Sequence, residues 1–209
     1  MRRGKFITLE GGEGAGKSTQ AKHLADMLRR EGLETVLTRE VGGCPSAEDI
    51  RSLWLGKAEG YWDPFTEVLL ISAARREHLV RTIWPALDRG AWVISDRFVD
   101  STRAYQGLAM NMGLEVVDHF YHHIAQNFEP DMTLLLDVPV AIGLQRMRAR
   151  QGPDDRYQQK DADFHQSLRD AYLRLARVHS ERFRIIDADR DSDAVSHDIA
   201  KAVGSILQT

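Results

Sequence analysis

The chain has 209 residues, 43% of them hydrophobic, and its 28 Lys and Arg against 31 Asp and Glu give a formal net charge of −3. This length and apolar content can bury a core as one domain, the charge balance offers no general attraction for nucleic acid, and no run of about 18 apolar residues is available to span a membrane. The opening "MRRGKFITLE" turns polar before a signal-peptide apolar region develops, and the single Cys44 cannot form an internal disulfide, so the chain reads as a cytoplasmic protein.

In chain order, the first apolar run is "KFITLE" (5–10), short and rich in branched residues, and it predicts a strand. It leads into "GGEGAGKST", where Gly11-x-x-x-x-Gly16-Lys17-Ser18 has the spacing of a phosphate-binding P-loop. Ala21, Leu24, Ala25 and Leu28 follow at helical spacing and stop at Gly32, so the loop stands between a strand and a helix, as that chemistry requires. Glycine is entropically costly to fix, and its use here is to let backbone N–H groups turn inward and, with the helix N-terminus, cradle a polyphosphate. Gly11, Gly12, Glu13, Gly14, Ala15, Gly16, Lys17, Ser18 and Thr19 are therefore expected to hold ATP or GTP. Lys17 would reach the terminal phosphates and Ser18 a Mg²⁺ ion that keeps most of its waters.

Further strands are predicted at 34–40, 91–97, 132–138 and 183–189. Asp63-Pro64 opens a long helix that Gly90 closes, and Phe164, Leu168, Tyr172 and Leu175 mark a later one. Strands alternating with helices, and apolar enough to be covered on both faces, predict an α/β fold with three α/β/α layers and a five-stranded parallel sheet. Ligands bind beyond the carboxyl ends of such strands, and there Glu10-Gly11, Arg39-Glu40, Asp96-Arg97 and Asp137 concentrate charge. Asp96 is expected to face the metal with Ser18, and Arg97 an anionic substrate. Ser101, Thr102, Tyr105 and Gln106 supply a polar, aromatic surface on the next helix, which Asp100 would cap. The segment "LQRMRARQGPDDRYQQKDADF" (144–164) places Arg146, Arg148, Arg150 and Arg156 around Gly152-Pro153, which reads as a short arginine-bearing lid over about 148–160. With no repeat or linker, residues 1–209 form a single expected domain.

Taken together, "FITLEGGEGAGKST", "TREVGGCPSAEDIRSL", "AARREHL", "DRFVDSTRAYQG", "PDMTLLLDVP" and "DRYQ" resemble the stations of bacterial thymidylate kinases, from Phe6 to at least Leu175. The resemblance implies the P-loop NTPase fold, transfer of the γ-phosphoryl group of ATP to dTMP, and a homodimer, while charge and hydropathy lead us to expect no nucleic-acid or membrane partner. It implies that Arg97 bridges donor and acceptor phosphates, that Arg51 holds the acceptor phosphate, and that Glu13 lies near the metal and the sugar. Arg75 would bond the thymine carbonyl and Thr102 the ring N–H, with Glu40 and Gln106 in the same acceptor site, and Tyr105 would crowd a ribose 2′-hydroxyl. No general base is needed, because the acceptor is already an ionised phosphate. Some family members carry an arginine in the P-loop where Glu13 stands, so Arg150 and Arg156 are the expected source of catalytic charge. Departures from the family pattern are Val41 for proline, Cys44 for threonine, Ile71 for the aromatic that stacks on thymine, and Gln158 for a carboxylate in the lid. Two alternatives are another deoxynucleotide or deoxynucleoside kinase, suggested by Ile71 and Val41, and a P-loop switch that binds nucleotide without an acceptor. The lid arginines and "DRFVDSTRAYQ" favour the enzyme, and no Asn-Lys-x-Asp base-reading element is found.

Overall fold

The computed structural model describes residues 3–58, 60–149, 157 and 160–207. Its elements in chain order are β1 (Phe6–Glu10), α1 (Lys17–Arg30), β2 (Thr35–Arg39), α2 (Pro45–Leu55), α3 (Pro64–His78), α4 (Trp84–Asp88), β3 (Trp92–Asp96), α5 (Val99–Thr102), α6 (Leu114–Ala125), β4 (Met132–Asp137), α7 (Val140–Ala149), α8 (Ala162–Val178), β5 (Phe183–Asp187) and α9 (Ser192–Leu207). The five strands pair in the order β2-β3-β1-β4-β5, all parallel, so each expected strand is present and joins one α/β sheet.

Alternation along the strands sorts the layers. Ile7, Leu9, Ile94, Met132, Leu134 and Leu136 pack with Leu24, Leu28, Ile199 and Val203, which places α1 and α9 on one face. Phe6 and Val93 pack with Leu79, Ile83 and Tyr121, while Leu135 and Phe183 join Leu168, Tyr172 and Leu175 of α8 on the other. Burial on both faces explains why these strands read as continuous apolar runs rather than alternating ones. Glu10 shares the parity of Phe6 and Thr8, so a carboxylate is carried into the face covered by α5 and α8.

Helix boundaries follow local chemistry. Asp63 accepts from the Phe65 and Thr66 amides at 2.9 and 3.2 Å, with Pro64 as the first helical residue. α3 then passes through a π-helical stretch (Leu79–Ile83) into α4; Pro85 has no N–H to return to the preceding turn, and the widened turn accommodates it. Gly90 closes this unit with φ 90°. Asp161 caps α8 through the Phe164 amide at 2.8 Å.

Asp100, expected as a cap, is instead fully buried within α5. It pairs with Arg182 at 2.7 and 2.9 Å and with Arg103 at 3.0 Å, while Arg103 also bonds Asp118 and Glu129. A buried carboxylate is tolerated only when paired, and here the partner comes from the turn before β5. The P-loop seats directly on α7: Gly14 has φ 69°, and a Cβ there would lie 2.0 Å from the Gly143 carbonyl oxygen. Among the described residues, no helix is long and apolar enough to cross a membrane.

Candidate active site

Parallel pairing sets Leu9 opposite Asp96, so the P-loop after β1 and the Asp96-Arg97 turn after β3 emerge side by side. Between them and α3 lies a cavity of about 250 Å³ at the carboxyl edge of the sheet. Lys17 stands at its P-loop end, buried, with Nζ donating to the Gly11 and Gly12 carbonyls at 3.0 and 2.7 Å. Burial, with the Arg97 charge adding to it, pushes the ammonium down to about 8, against the opposing pull of Glu13, Asp96 and Glu10. The Ser18 hydroxyl donates to the Asp96 carboxylate, bringing two oxygen donors together beside the loop. Gly14 and Gly16 line the same cavity; Gly11 and Gly12 border a smaller one behind the loop, Ala15 packs into the core, and Thr19 follows on the first turn of α1.

Arg97 is the centre of the site. Its φ of 70° is unusual for a side chain with a Cβ, and the turn is fixed by its N–H to the Leu9 carbonyl at 2.9 Å and by Ser95 Oγ to its own carbonyl at 2.7 Å. Nη2 donates to Glu13 Oε1 at 2.6 Å, and the Tyr105 hydroxyl donates to the same oxygen at 2.7 Å. Burial alone would raise Glu13, but the Arg97 and Lys17 charges outweigh it and hold the carboxyl at about 2. Glu13 therefore stays ionised and pins Arg97 in the cavity.

At the other end of the cavity, Arg75 is held from two sides. Nε donates to Glu40 Oε2 at 2.7 Å and Nη2 to Thr102 Oγ1 at 2.9 Å, while His78 Nδ1 meets the other Glu40 oxygen at 3.0 Å. Burial opposes the charge on Glu40, yet Arg75 and His78 keep its carboxyl below the usual range. Glu40 thus positions Arg75. Arg51 donates to the Val41 carbonyl at 2.8 Å, and both line the cavity; Cys44 is buried against Ala47 and Ala74.

Ile71 also faces this cavity, and beside it stand two aromatic residues that sequence reasoning missed as site residues, Trp54 of α2 and Tyr157. Their ring centroids are 6.3 Å apart, and Tyr157 OH accepts from Gln106 Nε2 at 2.8 Å and donates to Glu67 at 3.3 Å. Phe98 lines the cavity, whereas Phe65 lies on the outer surface with its edge on Phe120. Trp54 thus sets an indole ring beside the aliphatic side chain at 71. The variant Trp54→Ala is expected to weaken dTMP binding by about 1–3 kcal/mol, as removal of a base-stacking ring does elsewhere, with the ATP KM unchanged; calorimetric titration checks it, and unaltered dTMP affinity would remove Trp54 from the base site.

Arg146 bonds the Ala188 carbonyl at 2.7 Å, and Arg148 is exposed near the end of α7. Arg150, Arg156 and Gln158 lie outside the described residues, as does most of the expected lid over 148–160.

The thymidylate kinase family model matches residues 9–199. The thymidylate kinase of Ruegeria pomeroyi is 48% identical over 200 residues, covering 96% of this chain and 94% of its own. That of Caulobacter vibrioides is 47% identical over 97% of both chains, and that of Alkalilimnicola ehrlichii 45% identical over 99% of this chain and 95% of its own.

Proposed function

The chain belongs to the thymidylate kinase family, whose reaction transfers the γ-phosphoryl group of ATP to dTMP, giving ADP and dTDP, and we propose how its own residues perform that transfer. The observation that supports the assignment is the span of one cavity, from Lys17 at the P-loop through Arg97 to the Arg75–Thr102 pair. ATP occupies the P-loop end and dTMP the end bounded by Arg75, Thr102, Trp54 and Ile71. An oxygen of the acceptor phosphate attacks the γ-phosphorus as its bond to the β–γ bridging oxygen breaks, and that oxygen leaves on ADP. No proton has to be removed, so catalysis is positioning and charge stabilisation. Lys17 exchanges the Gly11 and Gly12 carbonyls for phosphate oxygens. Arg97, held between Glu13 and the Ser101 and Tyr172 hydroxyls, presents its guanidinium where the two phosphates meet.

The adjoining Ser18 hydroxyl and Asp96 carboxylate are hard oxygen donors at the phosphate end, a set that suits Mg²⁺, which uses few protein ligands and retains water. When bound there, the ion would neutralise charge on the transferring phosphates. We further assign Tyr105 to the sugar, where its ring walls the cavity beside Glu13. Residues 1–209 act as one cytoplasmic catalytic domain with 148–160 as its lid, in which Arg150 and Arg156 supply further charge. Phe65, Leu69 and Val80, 46%, 42% and 43% exposed along one helical stripe, support a homodimer through α3 and α6. Sedimentation of Leu69→Asp beside the parent chain tests that contact, a dimer for the parent and a monomer for the variant being expected.

The reaction itself is tested by coupled measurement of ADP release with and without dTMP, together with a panel of deoxynucleosides and other deoxynucleoside monophosphates. Release that depends on dTMP is the expected result. Release indifferent to dTMP, or preferring an unphosphorylated nucleoside, would overturn it.

A further inference from the structure

Glu10 has no place in the transfer described above, yet it is fully buried at the end of β1, immediately before the P-loop. Oε1 accepts from the Phe98 amide at 2.8 Å. Oε2 accepts from Ser101 Oγ at 2.6 Å and from the Tyr172 hydroxyl at 3.2 Å. These two hydroxyls lie 2.9 Å from each other, and both receive Arg97 Nη1, at 3.2 and 3.3 Å. One carboxylate and one guanidinium therefore meet through the same pair of hydroxyl groups.

Each hydroxyl has one proton to give. We propose that Glu10 is a positioning residue for Arg97: its ionised carboxylate turns the Ser101 and Tyr172 protons toward itself, so that both oxygens offer lone pairs to Nη1. A protonated Glu10 needs an acceptor for its own O–H. It takes one of the hydroxyl oxygens, whose proton then turns to the other hydroxyl 2.9 Å away, so that a lone pair of each oxygen is spent within this chain and the carboxylate charge behind both contacts to Nη1 is gone. The Arg97 side chain is held less firmly on the side away from Glu13, and its alignment with the phosphates loosens. This rests on the assignment of Arg97 to those phosphates.

The groups that face Glu10 come from several elements: Asp100 on α5, Arg97 on the preceding turn, Lys17 on α1 and Tyr172 on α8. Burial first, then the Asp100 charge, raises the Glu10 carboxyl to about 7, while Ser101, Arg97 and the Phe98 amide act against them. The relay is thus placed where it changes state across neutral pH.

The experiment is the pH dependence of kcat/KM for dTMP at saturating ATP, in the parent enzyme, Glu10→Gln and Ser101→Ala. The change Glu10→Gln keeps the size of the side chain and alters only its chemistry: the amide donates to the hydroxyls at every pH and so fixes the loosened state. The parent should show an inflection near 7, beyond those of the substrate phosphates, which all three proteins share. Glu10→Gln should lack it and run about 10-fold to 100-fold slower on the alkaline side, the scale of a small misplacement of a catalytic group. Ser101→Ala leaves Glu10 in place and serves if the first variant does not fold; it should flatten the same inflection. An inflection retained unchanged in the folded variants overturns the relay. Arg97→Ala separates the two readings: if it is inactive while the inflection persists in Glu10→Gln and Ser101→Ala, only the relay fails, and if it is active, the phosphate assignment fails and the relay with it.

Discussion

Lys17→Ala is expected to lower kcat by about 10³-fold or more, the range found when a charge that contacts a transferring phosphoryl group is removed. In the structure its ammonium is parked on the Gly11 and Gly12 carbonyls, in a loop whose neighbouring charges are Glu13, Asp96 and Arg97. Those carbonyls are poor partners compared with phosphate oxygens, so Lys17 is expected to exchange them for nucleotide phosphates at little cost. Burial already brings the group down to about 8, which leaves it charged at neutral pH with part of its desolvation cost already met before nucleotide arrives. The alanine variant loses that charge while the loop geometry, set by Gly14 against Gly143, remains. Folding should survive. Single-turnover measurement of phosphoryl transfer, beside a thermal melt, reads both quantities. A folded variant that keeps a tenth of the parent rate would show that Lys17 does not touch the transferring group.

Much of this site was legible in the sequence because its parts are local. The P-loop spacing fixes nine consecutive residues, and the strand ends that carry Glu40, Asp96 and Arg97 follow from short apolar runs rich in branched residues. What escaped depends on partners remote in the chain. Asp100 looked like a helix cap, because nothing near it announces Arg182, whose guanidinium arrives from the turn before β5 to pair with it. Trp54 reads as an ordinary apolar position of α2, and only the packing of α2 on α3 brings its indole beside Ile71. Glu10 ends a strand on the edge where charge was expected, yet its role depends on Tyr172 of α8 and on the turn after β3. A parity count would have flagged it: Phe6, Thr8 and Glu10 share one face, and a carboxylate on a covered face must have donors.

Arg97 carries the second large expectation. Arg97→Ala should lower kcat by about 10³-fold, within the range of a transition-state arginine in phosphoryl transfer, and should weaken both substrates if the proposed position of the group between them holds. Stability must be separated from this loss. Glu13 is held at about 2 by the Arg97 and Lys17 charges, well under its unfolded value of 4.5. A lowered carboxyl stabilises the fold above the unfolded value, and that contribution fades as pH falls from about 4.5 toward about 2. Removing Arg97 abolishes most of it, a cost on the order of 2–3 kcal/mol at neutral pH given the partial exposure of the pair. Glu13→Gln/Arg97→Ala removes both charges, so it should recover part of the stability and none of the rate. Arg97→Lys retains the charge but not the fork that reaches Glu13, Ser101, Tyr105 and Tyr172 together, and should still lose about 10²-fold in kcat. Acid melts and single-turnover rates on the three variants distinguish these outcomes. If the double variant regains the rate along with the stability, Arg97 serves only to neutralise Glu13, and its contact with the phosphates is disproved.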